Sequence, residues 1–334
     1  MRPVGTAYLD TLLQATPDLT GPSPERWYDR LEREETALEA ALDDACRADP
    51  GLGLRAARLL QRFWFARGRL ERGRRWVARL LAAYGERPTA DRVEGLIAGA
   101  GLAFRMGDTP DTRRQATLAV ELARDLHIDG PRVDALLTLA RVGLREGDTH
   151  AVEKLADEAR TLALELHDEA RELSAIHHLA EGARMANDLR RARTLYEESL
   201  SRNRARGNRG GIAVELVNLA TIERTEGNLA KAETNLGEAM SISRQIKNSY
   251  ILAASLIVRA SVELRAGRLH DAARSLGQAD AIYSSTGLAI DPADRADYDR
   301  TVEGVRSGLG RETYAIAHAE GERSALEEQT ATRT

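Results

Sequence analysis

The sequence predicts an all-α fold: antiparallel helix pairs stacked in series as a right-handed solenoid, with a period of 40 residues and helical caps at both ends. Three observations lead there. Residues that tolerate a left-handed backbone recur at multiples of 40: Gly107, Gly147, Asn187, Gly227 and Gly267. Small residues recur at the same interval in two further columns, Ala100, Ala140, Ala180, Ala220 and Ala260, then Ala119, Ala159, Ser199, Ala239 and Ala279. The composition favours helix, being rich in Ala, Leu, Arg and Glu, with aromatics at 4% and only 9 Pro. A β fold would need more β-branched and aromatic residues.

Each repeat reads as helix, tight turn, helix. After each Gly or Asn come Asp108, Asp148, Asp188, Asn228 and Arg268, and four of these five can cap the helix that follows. Larger apolar residues surround the small ones at i, i+3, i+4, i+7, as in Leu136 with Leu139 or Leu155 with Leu162. Taken in order, residues 1–92 form an N-terminal helical cap and a degenerate repeat turning at Gly68. The cap part, residues 8–48, reads as one or two helices. Residues 93–290 hold five repeats, and 291–334 a C-terminal helical cap, split near Gly308–Gly310, with a frayed tail from Gln329. About fourteen helices result.

The small–x3–large–x2–small pattern of Ala192-Tyr196-Ser199, Ala232-Leu236-Ala239 and Ala272-Leu276-Ala279 resembles the second helix of a tetratricopeptide repeat. The period of that repeat is about 34 residues, so the units here are long. The stretches Leu19–Glu34, Phe63–Leu70 and Gly73–Trp76, with Arg295–Tyr298 near the end, resemble the C-terminal repeat region of LuxR- and AfsR-type bacterial signal-transduction ATPases. These are transcriptional regulators common in actinobacteria. The resemblance implies an interaction or sensor module. The sequence contains no G-x-x-x-x-G-K-[ST] phosphate loop, so the expectation is the repeat region without its ATPase and DNA-binding domains.

Charge and composition bound the function further. Net charge is −4 and pI about 6.1, without the basic excess of a nucleic-acid binder. Lys occurs three times, at 154, 231 and 247, leaving 45 Arg among the 48 cations. We read this as the mark of a GC-rich genome. Cys46 stands alone, which points to a reducing compartment, and no apolar run approaches a membrane span. A cytoplasmic protein that binds neither nucleic acid nor membrane is expected, with oligomerisation open.

No catalytic, cofactor or metal set is expected. Gly51-Leu-Gly53-Leu-Arg-Ala56 matches a relaxed dinucleotide fingerprint but follows Asp49-Pro50, which is no strand, and reads as a helix start. His177 and Glu181 share one helix face, where a hydrogen-bonded pair is expected rather than a metal site. Trp27, Trp64 and Trp76 are expected to staple the N-terminal helices.

The tetratricopeptide resemblance implies that the first helix of each repeat lines a concave face. Candidate binding residues there are Phe104, Arg105, Leu137, Arg141, Arg145, His177, Glu181, Arg184, Asn218, Arg224 and Arg265. An Arg near the end of each first helix (105, 145, 184, 224, 265) suggests cationic rungs for an acidic or C-terminal peptide segment. The same residues could instead pair with neighbouring carboxylates or helix ends. Asn218 falls where peptide-binding tetratricopeptide repeats carry an Asn that reaches the ligand backbone. The expected function is a non-catalytic protein- or peptide-binding scaffold or sensor of a transcription-regulatory system. The alternative is a small-molecule effector sensor, favoured by a dead-end pocket beside Phe104, Leu137 and Leu144.

Overall fold

The computed structural model describes residues 4–21, 24–290 and 292–331, and among these it holds eighteen helices and no strand. They are α1 (Val4–Gln14), α2 (Thr16–Thr20), α3 (Glu25–Arg33), α4 (Glu35–Ala48), α5 (Pro50–Ala66), α6 (Leu70–Tyr84), α7 (Ala90–Arg105), α8 (Thr109–Asp125) and α9 (Asp129–Glu146). Then follow α10 (Thr149–Glu165), α11 (Glu169–Met185), α12 (Leu189–Ala205), α13 (Arg209–Thr225), α14 (Leu229–Gln245), α15 (Ser249–Arg265), α16 (Leu269–Thr286), α17 (Pro292–Leu309) and α18 (Arg311–Ala331). The fold class is an all-α solenoid of tetratricopeptide-like helix pairs. From α10 to α15 each helix has 17 residues, and three-residue links join them, which together make the period of 40. The excess over a standard repeat therefore lies in helix, not loop.

The turns explain the period. Gly107, Gly147, Asn187, Gly227 and Gly267 all have positive φ, between 61° and 87°. A second left-handed column lies between repeats: His127, His167, Gly207, Lys247 and Gly287, at φ 52–68°. At His127 and His167 the chain leaves the helix by the same two bonds. His127 N–H donates to Arg124 O and Ile128 N–H to Ala123 O; His167 N–H donates to Leu164 O and Asp168 N–H to Ala163 O. Asp108, Asp148 and Asp188 cap the following helices by accepting from Asp111, Ala151 and Arg191 N–H. Asn228 does not cap: its amide donates to the buried Glu223 carboxylate at 2.9 Å. Asp168 and Asn248 add a second cap column that the sequence reading did not single out.

The N-terminal segment carries four helices where one or two were expected. Pro17 has no N–H to continue α1, so α2 restarts with Pro near its first position. A further break falls at Glu34, whose carboxylate is held by Tyr8 Oη (3.0 Å) and Arg30 Nε (3.0 Å). Trp64 is buried beneath α6, where a Cβ on Gly73 would stand 2.5 Å from its ring. Trp27 donates Nε1–H to Asp18 at 3.3 Å. The fingerprint-like glycines are packing glycines, since a Cβ on Gly53 would meet Leu80 at 2.3 Å and Asp49 caps α5 through Leu52 N–H. The frayed-tail expectation falls partly on α18, which runs to Ala331, and partly on residues 332–334, outside the described residues.

The helices fall into two compact units: Met1–Leu195 with Arg206–Asn208, and Tyr196–Ala205 with Arg209–Thr334. In the first unit the small columns sit at the bottom of the helix contacts. Val133, Leu136 and Leu137 pack with Ala156, Ala159, Ala175 and Leu179, and Val93, Leu96 and Ile97 with Ala119, Ala123 and Ala135. In the second unit Ala260, Ala272, Ala273 and Leu276 meet Val305, Tyr314 and Ala317. There α16 and α18 cross at near-backbone contact, with a Cβ on Gly277 only 2.0 Å from His318 O. Asp280 on α16 accepts from Tyr298 Oη of α17 (2.7 Å) and pairs with His318 Nε2 of α18 (2.8 Å), tying three helices together.

Candidate ligand-binding faces of the first helices

In the first unit the first helices are α5, α7, α9 and α11, and an ion-pair ladder crosses all four. Arg58 Nη2 meets Asp134 Oδ2 at 2.7 Å, and its Nε lies 3.3 Å from Glu94 Oε2. Asp134 also receives Arg171 through Nε (3.2 Å) and Nη2 (3.1 Å), and Arg171 reaches back to Asp168 at 2.5 Å. Burial alone would raise the Asp134 carboxyl, but Arg58 and Arg171 together hold it below the usual range. At Glu94 burial, with Asp134 nearby, outweighs Arg58 and raises its pKa.

The predicted residues of this unit gather one step further along. Phe104 is buried, and three guanidinium groups surround its ring: Arg145 at 4.5 Å from the centroid, Arg105 at 5.6 Å and Arg141 at 5.7 Å. Arg105 also stacks on Phe65 at 4.3 Å. Each such contact contributes about 0.5–1 kcal/mol at a partly exposed site. Arg145 Nη2 donates to Phe104 O at 3.1 Å, the end of the preceding first helix, and Nη1 to Thr109 Oγ1 at 3.3 Å. Leu137 and Leu144 are buried in repeat cores, and Phe104 is buried as well.

Arg141 Nε donates to His178 Nε2 at 3.0 Å, which fixes the imidazole tautomer. The proton must then sit on Nδ1, which donates to Ser174 O at 2.6 Å. Burial, with Arg141 beside it, pushes the His178 pKa down to about 3, so the ring is neutral with both nitrogens engaged. It has no free nitrogen for acid–base work. His177 and Glu181 pair at 3.5 Å as the spacing suggested. Burial opposes ionisation of Glu181, but His177, with Arg184 further off, holds its pKa well below the usual range. Arg184 is half-buried.

In the second unit the first helices are α13, α15 and α17, and the first two of these carry the remaining candidates. Arg224 is 7% exposed; its Nη1 donates to Ser261 Oγ on α15 and its Nη2 pairs with Asp297 on α17. Burial would raise the Asp297 pKa, and Arg224, with Arg300 at 2.8 Å, brings it below the usual value. Arg265 Nη1 donates to Arg224 O at 2.9 Å, the same linkage that Arg145 makes to Phe104. Asn218 is 9% exposed, and its side chain makes no hydrogen bond with any described residue.

Among the buried carboxylates that escaped the sequence reading, two form a pair one repeat apart. Glu223 accepts from Lys231 at 2.5 Å and Asn228, and Glu263 from Arg259 and from Ser275 at 2.7 Å. Their separation of 40 residues was a usable signal. Among the described residues no group of three or more His, Cys, Asp or Glu could hold a metal ion, and no helix is long and apolar enough to cross a membrane. Cys46 is half-buried, and burial pushes its thiol pKa up.

Comparison with known proteins agrees with this architecture. A Rap protein in complex with Competence and Sporulation Factor superposes with a TM-score of 0.63 at 12% identity, covering 98% of both chains. Aspartyl phosphate phosphatase F from Bacillus subtilis gives 0.51 at 10% identity, covering 93% of this chain and 95% of its own. At these identities the likeness is one of fold. A search of the curated proteins returns no match. The family described as MalT-like TPR region matches residues 94–310, well over half the chain, spanning α7 to α17 with their left-handed turn columns. The chain belongs to the MalT-like TPR region family.

Proposed function

We propose that this chain is a non-catalytic binding scaffold of a bacterial transcription-regulatory system and holds a protein or peptide segment against its first-helix faces. The observation that carries the reading is Asn218. The Asn218 amide makes no hydrogen bond with any described residue, so its donor and acceptor are open to a ligand arriving from solvent. An amide offers one donor group and one acceptor, which is what an extended peptide backbone needs. Family membership and the Rap complex with Competence and Sporulation Factor support the reading by likeness of fold.

The test is selection of a phage-displayed random peptide library on the immobilised full chain. Wild type should enrich a related set of peptides, and Asn218→Ala should lose that enrichment while unfolding at the same temperature. Failure of wild type to enrich any peptide, or equal enrichment by the variant, would sink the reading.

A further inference from the structure

The contacts of Arg224 leave its guanidinium incompletely used. Nη1 donates to Ser261 and Nη2 pairs with Asp297, but Nε is buried and has no partner. A carboxylate facing a guanidinium in fork geometry takes Nε and Nη2 together. Asp297 reaches only Nη2. The seat fits a carboxylate better aligned than the one that fills it.

Asp297 is also delivered by a helix that buries fewer side chains than its neighbours, with Tyr298 beside it hydrogen-bonded to Asp280. Among its described residues α17 buries Thr301 and Val305, whereas α13 buries eleven residues and α15 ten. Asp297 has a second cation, Arg300 on its own helix at 2.8 Å, so leaving Arg224 does not leave it unpaired. Less than two turns before Arg224 on α13 lies the unpartnered Asn218. A segment lying along α13 could meet both groups.

We propose that Asp297 is an internal placeholder on a carboxylate seat: an acidic segment of the bound partner displaces it from Arg224, takes Nε and Nη2 together, and loosens α17. The proposal rests on the peptide-binding reading above and adds the charge of the partner and the helix that responds. The occupant is a carboxylate, from either an acidic side chain or a chain terminus.

The experiment uses the full chain with three synthetic probes: N-acetyl hexaglutamate amide, N-acetyl hexaglutamine with a free C-terminal acid, and N-acetyl hexaglutamine amide. Removing an internal competitor raises apparent affinity by the inverse of the fraction already open. Asp297→Ala should therefore bind at least one acidic probe about tenfold more tightly than wild type, with Arg224→Met abolishing the gain. The probe that gains identifies the side-chain or terminal source. As a readout independent of the variants, hydrogen exchange of α17 in wild type should accelerate when the acidic probe is added. Equal affinity of wild type and Asp297→Ala for both acidic probes, or α17 exchange unchanged by them, overturns the proposal. Binding of the neutral amide to both proteins alike would overturn it too, while leaving the scaffold reading standing.

Discussion

Arg145 on α9 donates from Nη2 to the carbonyl of Phe104 on α7 at 3.1 Å, and Arg265 on α15 donates from Nη1 to the carbonyl of Arg224 on α13 at 2.9 Å. Both pairs are 41 residues apart. A cation thus finishes the end of the preceding first helix, where carbonyls lack intrahelical partners and the helix dipole is negative. At the matching positions Met185 and Thr225 the linkage cannot form. Arg145→Leu should lower stability by about 1–2 kcal/mol, since it also uncovers the Phe104 ring. Arg265→Leu, at an exposed position, should cost about 0.5–1 kcal/mol. Urea unfolding midpoints check both. An unchanged midpoint for Arg145→Leu would remove this linkage from the account of repeat stacking.

The ion-pair ladder should tolerate paired replacement better than single loss. Asp134→Ala leaves Arg58 and Arg171 facing each other without their shared carboxylate, at an expected cost of about 2–3 kcal/mol. The side chain is 18% exposed, which keeps the figure below that of a fully buried pair. Asp134→Leu combined with Arg58→Met and Arg171→Met should recover most of the loss. Thermal melts of the single and triple variants test this, and a triple variant weaker than the single one would contradict it.

His178 predicts a pH dependence. Its folded pKa, about 3, lies below the ordinary 6.5, so the unfolded chain takes up a proton that the folded chain refuses. The neutral ring's contribution is complete above pH 6.5 and is lost as pH falls from there toward 3. Within that window wild type should lose up to about 1.4 kcal/mol per pH unit more than His178→Gln. Denaturant titrations at pH 7 and pH 5 supply the comparison, and parallel losses in both proteins would refute the assignment.

The left-handed bends give predictions of opposite sign. His167 holds φ 52° with a Cβ, a conformation that costs about 1 kcal/mol or more for an L residue. His167→Gly should be stabilising by up to about 1 kcal/mol, partly offset by the freer unfolded chain. Gly147, at φ 76°, should lose about 1 kcal/mol on change to Ala although no atom stands within 4 Å. Differential scanning calorimetry of the two variants decides it by the direction of each midpoint shift.

The fold was more legible in the sequence than the candidate site was, for a physical reason. Turn and cap chemistry is local: Gly147 followed by Asp148 states both the bend and the next helix start within two residues. Pro17 shows the same logic where it was under-read, adding a helix boundary inside the N-terminal cap. Contacts between first helices are not local. Arg141 finds His178, and Arg224 finds Ser261, each 37 residues on, one helical turn short of a full period. Columns drawn at 40 therefore align homologous positions but not touching ones. Asn228 fits the cap column by residue type, yet its amide goes to Glu223, a choice set by a buried carboxylate that no local pattern announces.

The bends at His127 and His167 share one geometry, so the polypeptide is divided into interchangeable lengths. Excising Ile128–His167 would join His127 directly to Asp168, and the junction would still leave one helix by the same exit and enter the next through a capping Asp. Unequal recombination within the gene can thus subtract or duplicate an entire module without creating an ill-formed seam. The array is free to change length over evolution while its reading of any one ligand stays with the few side chains inside a module.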